Sequence, residues 1–487
     1  MRLFLFIIAV LIGFSGSTQT TKDVRLALQK MAADKDLKNA SISFYALDID
    51  SNKVIGGLAS SRSLVPASTM KLVTTATALE MLGPNKRFPT RIKYTGEIDT
   101  NCVLNGNIYI DGGGDPCLGS KRFPKQYGNF INKWAIAIQN LGIDSINGRV
   151  IADATIFSEQ MIPSTWIWAD LGNYYGAGPC GLSIYENKCN VEFSSFNKGD
   201  STEITCVYPY IPNLKFENNV KSMITHKDLS YIFGAPYQDD RIFKGGIPVN
   251  KEKFMVKGSI PDPAYLAAFE LDMELRALGL KLANPSTTIR KMKIDGLPIE
   301  KLKKRTVITT WSPKVISIIN LTNMHSINLY AEHLMNQIGI AKYRSGDTGS
   351  GTQATTLFWK KKELDVEGFY VYDGSGLSRF NAVTAKQLVG ILKYMNESEH
   401  KELFLKSLPV AGKSGTLRTL GRGTAAQGRV KAKSGTMTRV KSYAGYVTTK
   451  NKRNIAFAII ANNYNCTSFQ MKKKIEKIMI KLAEIER

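Results

Sequence analysis

Residues 66–83 read Pro66-Ala67-Ser68-Thr69-Met70-Lys71-Leu72-Val73-Thr74-Thr75-Ala76-Thr77-Ala78-Leu79-Glu80-Met81-Leu82-Gly83. Proline near the start, and Gly83 followed by Pro84 at the end, bound a run of mostly apolar and small residues. That pattern predicts a buried helix. Ser68 falls in its first turn and Lys71 three residues later, so their side chains share one face. A lysine on an apolar helix loses solvation, which lowers its pKa and lets it act as a base. The serine lies near the positive end of the helix dipole, where an oxyanion is favoured. A serine nucleophile can be activated this way without histidine. Ser-x-x-Lys also occurs by chance in many helices, so the reading needs partners elsewhere in the chain.

With 487 residues the chain is too long for one ordinary core, and two or three domains are expected. Hydrophobic residues make up 43% and charged residues 22%, a globular composition. Residues 1–17 have the form of a secretory signal: Arg2, an apolar run over residues 3–14, then Ser15-Gly16-Ser17. The run is shorter than an ordinary membrane span. No cysteine follows it, so lipoprotein processing is not expected. Export allows oxidation of the six cysteines, Cys102, Cys117, Cys180, Cys189, Cys206 and Cys466, without choosing a pairing. The net charge of +24 would suggest nucleic acid in a cytoplasmic protein, but export argues against that partner. A solvated basic surface is the plain reading. Attraction to an anionic polymer or membrane surface is the functional one.

Taken in order, Val24, Ala27, Leu28 and Met31 recur at helical spacing. Residues 41–49 and 53–58 are strand-like and joined by a turn. From about residue 91 short strands alternate with Gly, Asn and Asp turns, and helices are expected near 130–141 and 262–280. Trp166, Trp168, Tyr174 and Tyr175 form an aromatic cluster that reads as a satellite core. Helical texture returns near residue 300, with a long apolar-periodic stretch over 315–340. A helix is expected over 385–394. Strands are expected over 429–433, 443–448 and 455–461. A final helix carries Ile475, Ile478, Met479, Leu482 and Ile485 on one face, for packing on a sheet.

Two further elements complete the chemistry. In Ser326-Ile327-Asn328, residues i and i+2 point into one cleft if they form a tight loop between helices. The hydroxyl can pass a proton, and the amide can bond both Lys71 and substrate. Lys433-Ser434-Gly435-Thr436 ends a strand, where Gly435 lets a substrate backbone approach closely. A second copy, Lys413-Ser414-Gly415-Thr416, lacks a preceding strand and reads as a loop. Gly412-Lys413-Ser414 also mimics a phosphate loop, but Ser407 stands where that motif needs glycine. Of the four histidines only His325 adjoins a motif, and it reads as a helix-end residue.

The ordered set Ser-x-x-Lys, Ser-x-Asn and Lys-Ser-Gly resembles the penicillin-binding protein and serine β-lactamase superfamily. The long interval between Ser68 and Ser326 resembles the class C low-molecular-mass group, the D-alanyl-D-alanine carboxypeptidase/endopeptidases. Gly113-Gly114-Asp115-Pro116, the stretch Asp373-Gly374-Ser375-Gly376-Leu377-Ser378-Arg379 and Leu408-Pro409-Val410-Ala411-Gly412 add to it. The resemblance implies an α+β fold: a split transpeptidase-like domain, residues 18–90 and 300–487, whose antiparallel sheet is flanked by helices. Residues 91–299 would form an inserted β-rich region.

By the same resemblance Ser68 attacks the carbonyl and Lys71 takes its proton. Ser326 relays a proton to the leaving amine and Asn328 orients the array. Lys433, Ser434, Gly435 and Thr436 bind the substrate, and no metal or cofactor is required. Peptidoglycan stem peptides are the implied substrates and β-lactams covalent inhibitors. The implied place is the periplasm or wall face, with membrane association at most peripheral. Ile327 and Ser434 depart from the polar residue and the threonine usual at those positions. A serine β-lactamase and a non-catalytic wall-binding protein are the rival functions.

Overall fold

The computed structural model describes residues 21–300 and 302–486, so the expected signal at residues 1–17 lies outside the described residues. One antiparallel sheet takes its strands from both ends of the chain. Its order is Val430–Met437, Val440–Thr448, Asn454–Asn462, Ser41–Asp48 and Lys53–Leu58. The central strand, Asn454–Asn462, shows why. Side chains alternate between faces with period two, and both faces of this strand are apolar. Ile455, Phe457, Ile459 and Ala461 enter one core, and Ala456, Ala458 and Ile460 enter the other. Helices Thr21–Ala32 and Ser468–Ala483 cover the first face. Met471, Ile475, Ile478, Met479, Leu482 and Ile485 are buried there, as their shared face predicts. Helix Ala385–Glu397 covers the second, with helix Met70–Leu82 packed behind it.

The helix Met70–Leu82 has every residue from Met70 to Leu79 buried. Its threonines are tolerated because their hydroxyls are satisfied locally. Thr75 and Thr77 donate to carbonyls one turn back at 2.6 and 2.8 Å, and Thr74 donates to Gly374 O at 2.6 Å. One strand differs from the sequence expectation, and the loop between helices envisaged at Ser326 is present. The strand expected to end at Lys433 runs on to Met437, because Ser434, Gly435 and Thr436 continue the ladder opposite Tyr443, Ser442 and Lys441. The periodic stretch 315–340 is two helices, Val315–His325 and Asn328–Tyr343, broken where Ser326 turns left-handed at φ 59°.

Between these parts the chain builds further sheets. The largest has five strands, in the order Thr287–Thr288, Val150–Asp153, Ile108–Asp111, Pro89–Tyr94 and Arg305–Trp311. Its last two strands pair antiparallel, Thr90 opposite Thr310, so the outgoing and returning chain meet at one root. Helices Phe130–Gln139 and Pro263–Ala277 pack on each other nearby. Two three-stranded sheets follow, centred on Lys188–Ser195 and Asp240–Pro248. All six cysteines are free thiols, with Cys117, Cys180 and Cys189 buried.

The segment before Ser68 is held by a side chain at the end of the central strand. Asn462 Oδ1 accepts from Val65 N at 2.9 Å, and its Nδ2 donates to Val65 O at 3.0 Å. Asn462→Ala leaves that donor and acceptor unmade, at a cost of about 1–3 kcal/mol. A lower unfolding midpoint in thermal denaturation is therefore expected, and an unchanged midpoint would show that the clamp contributes nothing.

Candidate active site

Ser68 sits in a single 3-10 turn, Ala67–Thr69, that leads directly into the helix. Ala67 has φ 46°, a conformation that costs a non-glycine residue energy and persists only when its surroundings enforce it. The enforcing contacts are at hand. The Pro66 carbonyl accepts from Ser442 Oγ at 2.5 Å and from Thr69 Oγ1 at 2.8 Å. The Ala67 carbonyl abuts Gly376, where a Cβ would lie 2.0 Å from it.

Lys71 is fully buried, and its Nζ lies 3.1 Å from Ser68 Oγ, 2.6 Å from Asn328 Oδ1 and 2.6 Å from Ser375 O. Burial lowers its pKa to about 7, against the opposing pull of the Asp373 and Glu332 carboxylates. Those carboxylates also shape the loop that supplies Ser375 O. Glu332 accepts from the backbone N–H of Gly374 and Ser375 at 2.9 and 2.7 Å. Asp373 accepts from Gly376 N, Ser378 N, Asn381 Nδ2 and Trp166 Nε1, all within 2.8 Å. Burial and the neighbouring Asp373 charge raise the pKa of Glu332.

The break at Ser326 puts Ser326 and Asn328 into the same cleft. Ser326 Oγ lies 2.9 Å from Lys433 Nζ, and Asn328 also donates through Nδ2 to Tyr175 O at 2.8 Å. Lys433 is fully buried, donates to Ser434 O at 2.7 Å, and has its pKa lowered by burial and by Lys71. Ser68, Lys71, Asn328, Ser326 and Lys433 thus share one cleft, and the strand beside it carries Ser434, Gly435 and Thr436. Gly435 is necessary for this closeness: a Cβ there would lie 2.6 Å from Pro66 O and 3.0 Å from Ser68 N.

Strand Val430–Met437 is the edge of its sheet. Residue 430 accepts from Ala411 N, and residue 432 donates to Pro409 O, so the even-numbered backbone groups face outward. By the same alternation the carbonyl of Ser434 and the N–H of Thr436 face outward further along. Residues 409–411 cover the first part of the edge and leave the part beside Ser68 open.

The second Lys-Ser-Gly-Thr follows these covering residues and touches the site. Thr416 Oγ1 is 2.8 Å from Ser434 Oγ, and Gly415, at φ 52°, packs on Met324 at the end of the helix preceding Ser326. Lys413 points elsewhere, along Gly428. Sequence reasoning therefore missed Thr416, which it set aside with its motif. It also missed the Ser375 carbonyl and the carboxylates Glu332 and Asp373. The aromatic cluster read as a satellite core reaches the site through Trp166 and the Tyr175 carbonyl. His325 is an exposed helix-end residue, whereas His333 is buried between Ser183 Oγ and Gly114 O at 2.9 and 3.0 Å.

The family described as D-Ala-D-Ala carboxypeptidase 3 (S13) matches residues 24–485. The chain belongs to that family. Among curated relatives, this S13 chain is 25% identical over 457 residues to the D-alanyl-D-alanine carboxypeptidase of an Actinomadura species, covering 91% of this chain and 81% of that one. It is 25% identical over 450 residues to D-alanyl-D-alanine carboxypeptidase DacB of Haemophilus influenzae, covering 90% and 88%. In fold it is similar to penicillin binding protein 4 from Haemophilus influenzae, with TM-score 0.77 and 23% identity over 95% of this chain and 98% of that one. A structure of that protein complexed with a β-lactam gives TM-score 0.74 and 22% identity over 94% and 98%.

The two lysines of the paired motifs are placed differently, and a substitution at each separates them. Loss of a charge-assisted hydrogen bond costs about 1.5–3 kcal/mol, or roughly ten- to 150-fold in rate. Lys433→Ala is expected to slow acylation by a fluorescent penicillin by about that factor in folded protein. Lys413→Ala should stay within a few fold of the parent. The opposite order would mean that the wrong copy faces the nucleophile.

Proposed function

We propose that the protein is a serine D-alanyl-D-alanine carboxypeptidase and DD-endopeptidase of peptidoglycan stem peptides, acting through an acyl-enzyme at Ser68. The observation that carries this reading is the convergence of Ser68, Lys71, Ser326, Asn328 and Lys433 in one hydrogen-bonded cleft. Family membership and the names of the two carboxypeptidase relatives support it. The β-lactam complex of the Haemophilus protein supports inhibition by the same chemistry.

A neutral amine has two N–H donors and one lone pair. At Lys71 the two acceptors at 2.6 Å, Asn328 Oδ1 and Ser375 O, suit the two N–H groups. The lone pair is then left for the Ser68 hydroxyl at 3.1 Å. Ser68 Oγ forms an ester bond to the substrate carbonyl as its proton moves to Lys71. The backbone N–H groups of Ser68 and Thr436 stabilise the oxyanion. The C–N bond breaks, and a proton passes through Ser326 to the leaving amine. Water then attacks the ester, releasing the shortened peptide and restoring the Ser68 hydroxyl. Lys433, Ser434 and Thr436 hold the terminal carboxylate, and Gly435 admits the peptide backbone to the open edge. The names of the two carboxypeptidase relatives favour this reading over a serine β-lactamase.

The reading includes a catalytic domain divided between residues 18–90 and 300–487 around lobes at 91–299, and export to the periplasm or wall face. The sheet shared by both chain ends supports the first part. Among the described residues no helix is long and apolar enough to cross a membrane. The test is benzylpenicillin treatment followed by peptide mass mapping, with D-alanine release measured on a stem pentapeptide. A penicilloyl ester on Ser68, and loss of both adduct and release in Ser68→Ala, are expected. An adduct on another residue, or D-alanine release by the Ser68→Ala protein, would overturn the proposal.

A further inference from the structure

A cleft of about 610 Å³, lined by residues within 119–130 and 185–190 together with Tyr208, Pro209 and Lys257, plays no part in the chemistry above. Four cations line it: Lys121, Arg122, Lys188 and Lys257. Glu186 is the one carboxylate among the described residues lining it, and it is fully engaged. Its carboxylate pairs with Lys188, receives Arg122 Nε at 3.1 Å and Ser120 Oγ at 2.5 Å, and accepts from Tyr330 OH at 2.9 Å. Glu186 is buried and left-handed at φ 58°, between Tyr185 and Asn187 in the same conformation. This fixed carboxylate holds Arg122 and Lys188 at the wall. Lys121 and Lys257 lie over the rings of Tyr208 and Tyr174, at 5.0 and 5.9 Å from their centroids, and remain exposed to the cleft. Three positive charges are left over for an incoming anion.

The cleft is connected to the catalytic corner through neighbouring residues of the chain. Tyr330, which donates to Glu186, stands two residues past Asn328 on the same helix and on a different face of it. Tyr174 adjoins Tyr175, whose carbonyl holds Asn328 Nδ2. The Arg122 and Glu186 charges both act on His325, next to Ser326. None of the lining residues belongs to the catalytic set, and a leaving group longer than one amino acid would have to extend past the Ser326–Asn328 corner to reach the cleft. Its use depends on the size of that leaving group. Removal of a terminal D-alanine expels one amino acid, whose carboxylate the Lys433 strand already accommodates. Cutting a cross-link expels the amine of a whole second stem peptide, which carries further carboxylates.

We propose, resting on the peptidase reading above, that this basic cleft binds the carboxylates of the leaving-side peptide of a cross-linked substrate and so favours cross-link cleavage. The test compares kcat/KM for a cross-linked stem-peptide dimer with kcat/KM for D-alanine release from a monomeric pentapeptide. The Lys121→Glu/Lys257→Glu protein is expected to lower the ratio of dimer cleavage to D-alanine release about tenfold, since like charges then face the ligand. Added salt should lower the parent's ratio and raise the charge-reversed variant's, because exposed attraction and repulsion are both screened over about 10 Å at 0.1 M. Labelling by fluorescent penicillin reports whether the variant's site is intact, and Lys121→Gln/Lys257→Gln serves if it is not. An unchanged ratio in the intact variant overturns the cleft assignment and leaves the peptidase reading standing. A parent protein inactive on both substrates overturns the peptidase reading, and the assignment with it.

Discussion

Removal of the Lys71 ammonium group from water is the constraint on which the site depends. Its three hydrogen-bond partners, Ser68, Asn328 and the Ser375 carbonyl, are all neutral. Burial of a lysine without a contacting carboxylate favours the uncharged amine. Asp373 and Glu332 stand further back and limit the fall, so that the pKa comes to rest near neutrality, at about 7. A carboxylate in direct contact would keep the lysine protonated. Without any nearby, the pKa would fall further and the conjugate acid would be harder to form. The loop from Asp373 to Asn381 maintains this balance by taking up both carboxylates with its own N–H groups.

The same arrangement couples distant stretches of chain. The turn that carries Ser68 is pinned by Ser442 and Asn462 from one sheet, by the Gly376 loop, and by the close approach of Gly435. Trp166 and Tyr175 extend these contacts into the middle of the sequence. A binding edge results from partial cover: residues 409–411 pair with the outer strand and stop before Ser434, where Thr416 takes over with a side-chain contact. The two Lys-Ser-Gly-Thr copies are therefore neighbours that contribute differently to the site, all four residues of the strand copy and the threonine of the loop copy.

Much of this was legible in the sequence, for physical reasons that can be named. A serine and lysine one turn apart on an apolar helix leave few structural explanations for the lysine. Period-two runs near the C-terminus gave the three strands with small errors at their ends. The strand was expected to stop at Lys433 because Ser, Gly and Thr resemble turn residues, while their pairing with residues 441–443 is a tertiary fact. The helix break at Ser326 left no proline or glycine to mark it. Backbone carbonyls such as those of Ser375 and Tyr175 have no side-chain signature, so their roles are invisible before the fold is known. Thr416 was set aside because its motif sits in a loop, and only the fold brings that loop to Ser434.

Proton transfer from Ser68 to Lys71 requires Lys71 to be neutral near physiological pH. The direct measurement is an NMR titration of the lysine side-chain carbons in the folded protein, with Lys71 assigned as the resonance missing from Lys71→Met. Because burial disfavours the charged form, the amine should be protonated below pH 7 and neutral above it, with a midpoint near 7. A midpoint near the ordinary lysine value of about 10.4 would contradict the account, since Lys71 would then be charged and unable to take the proton of Ser68.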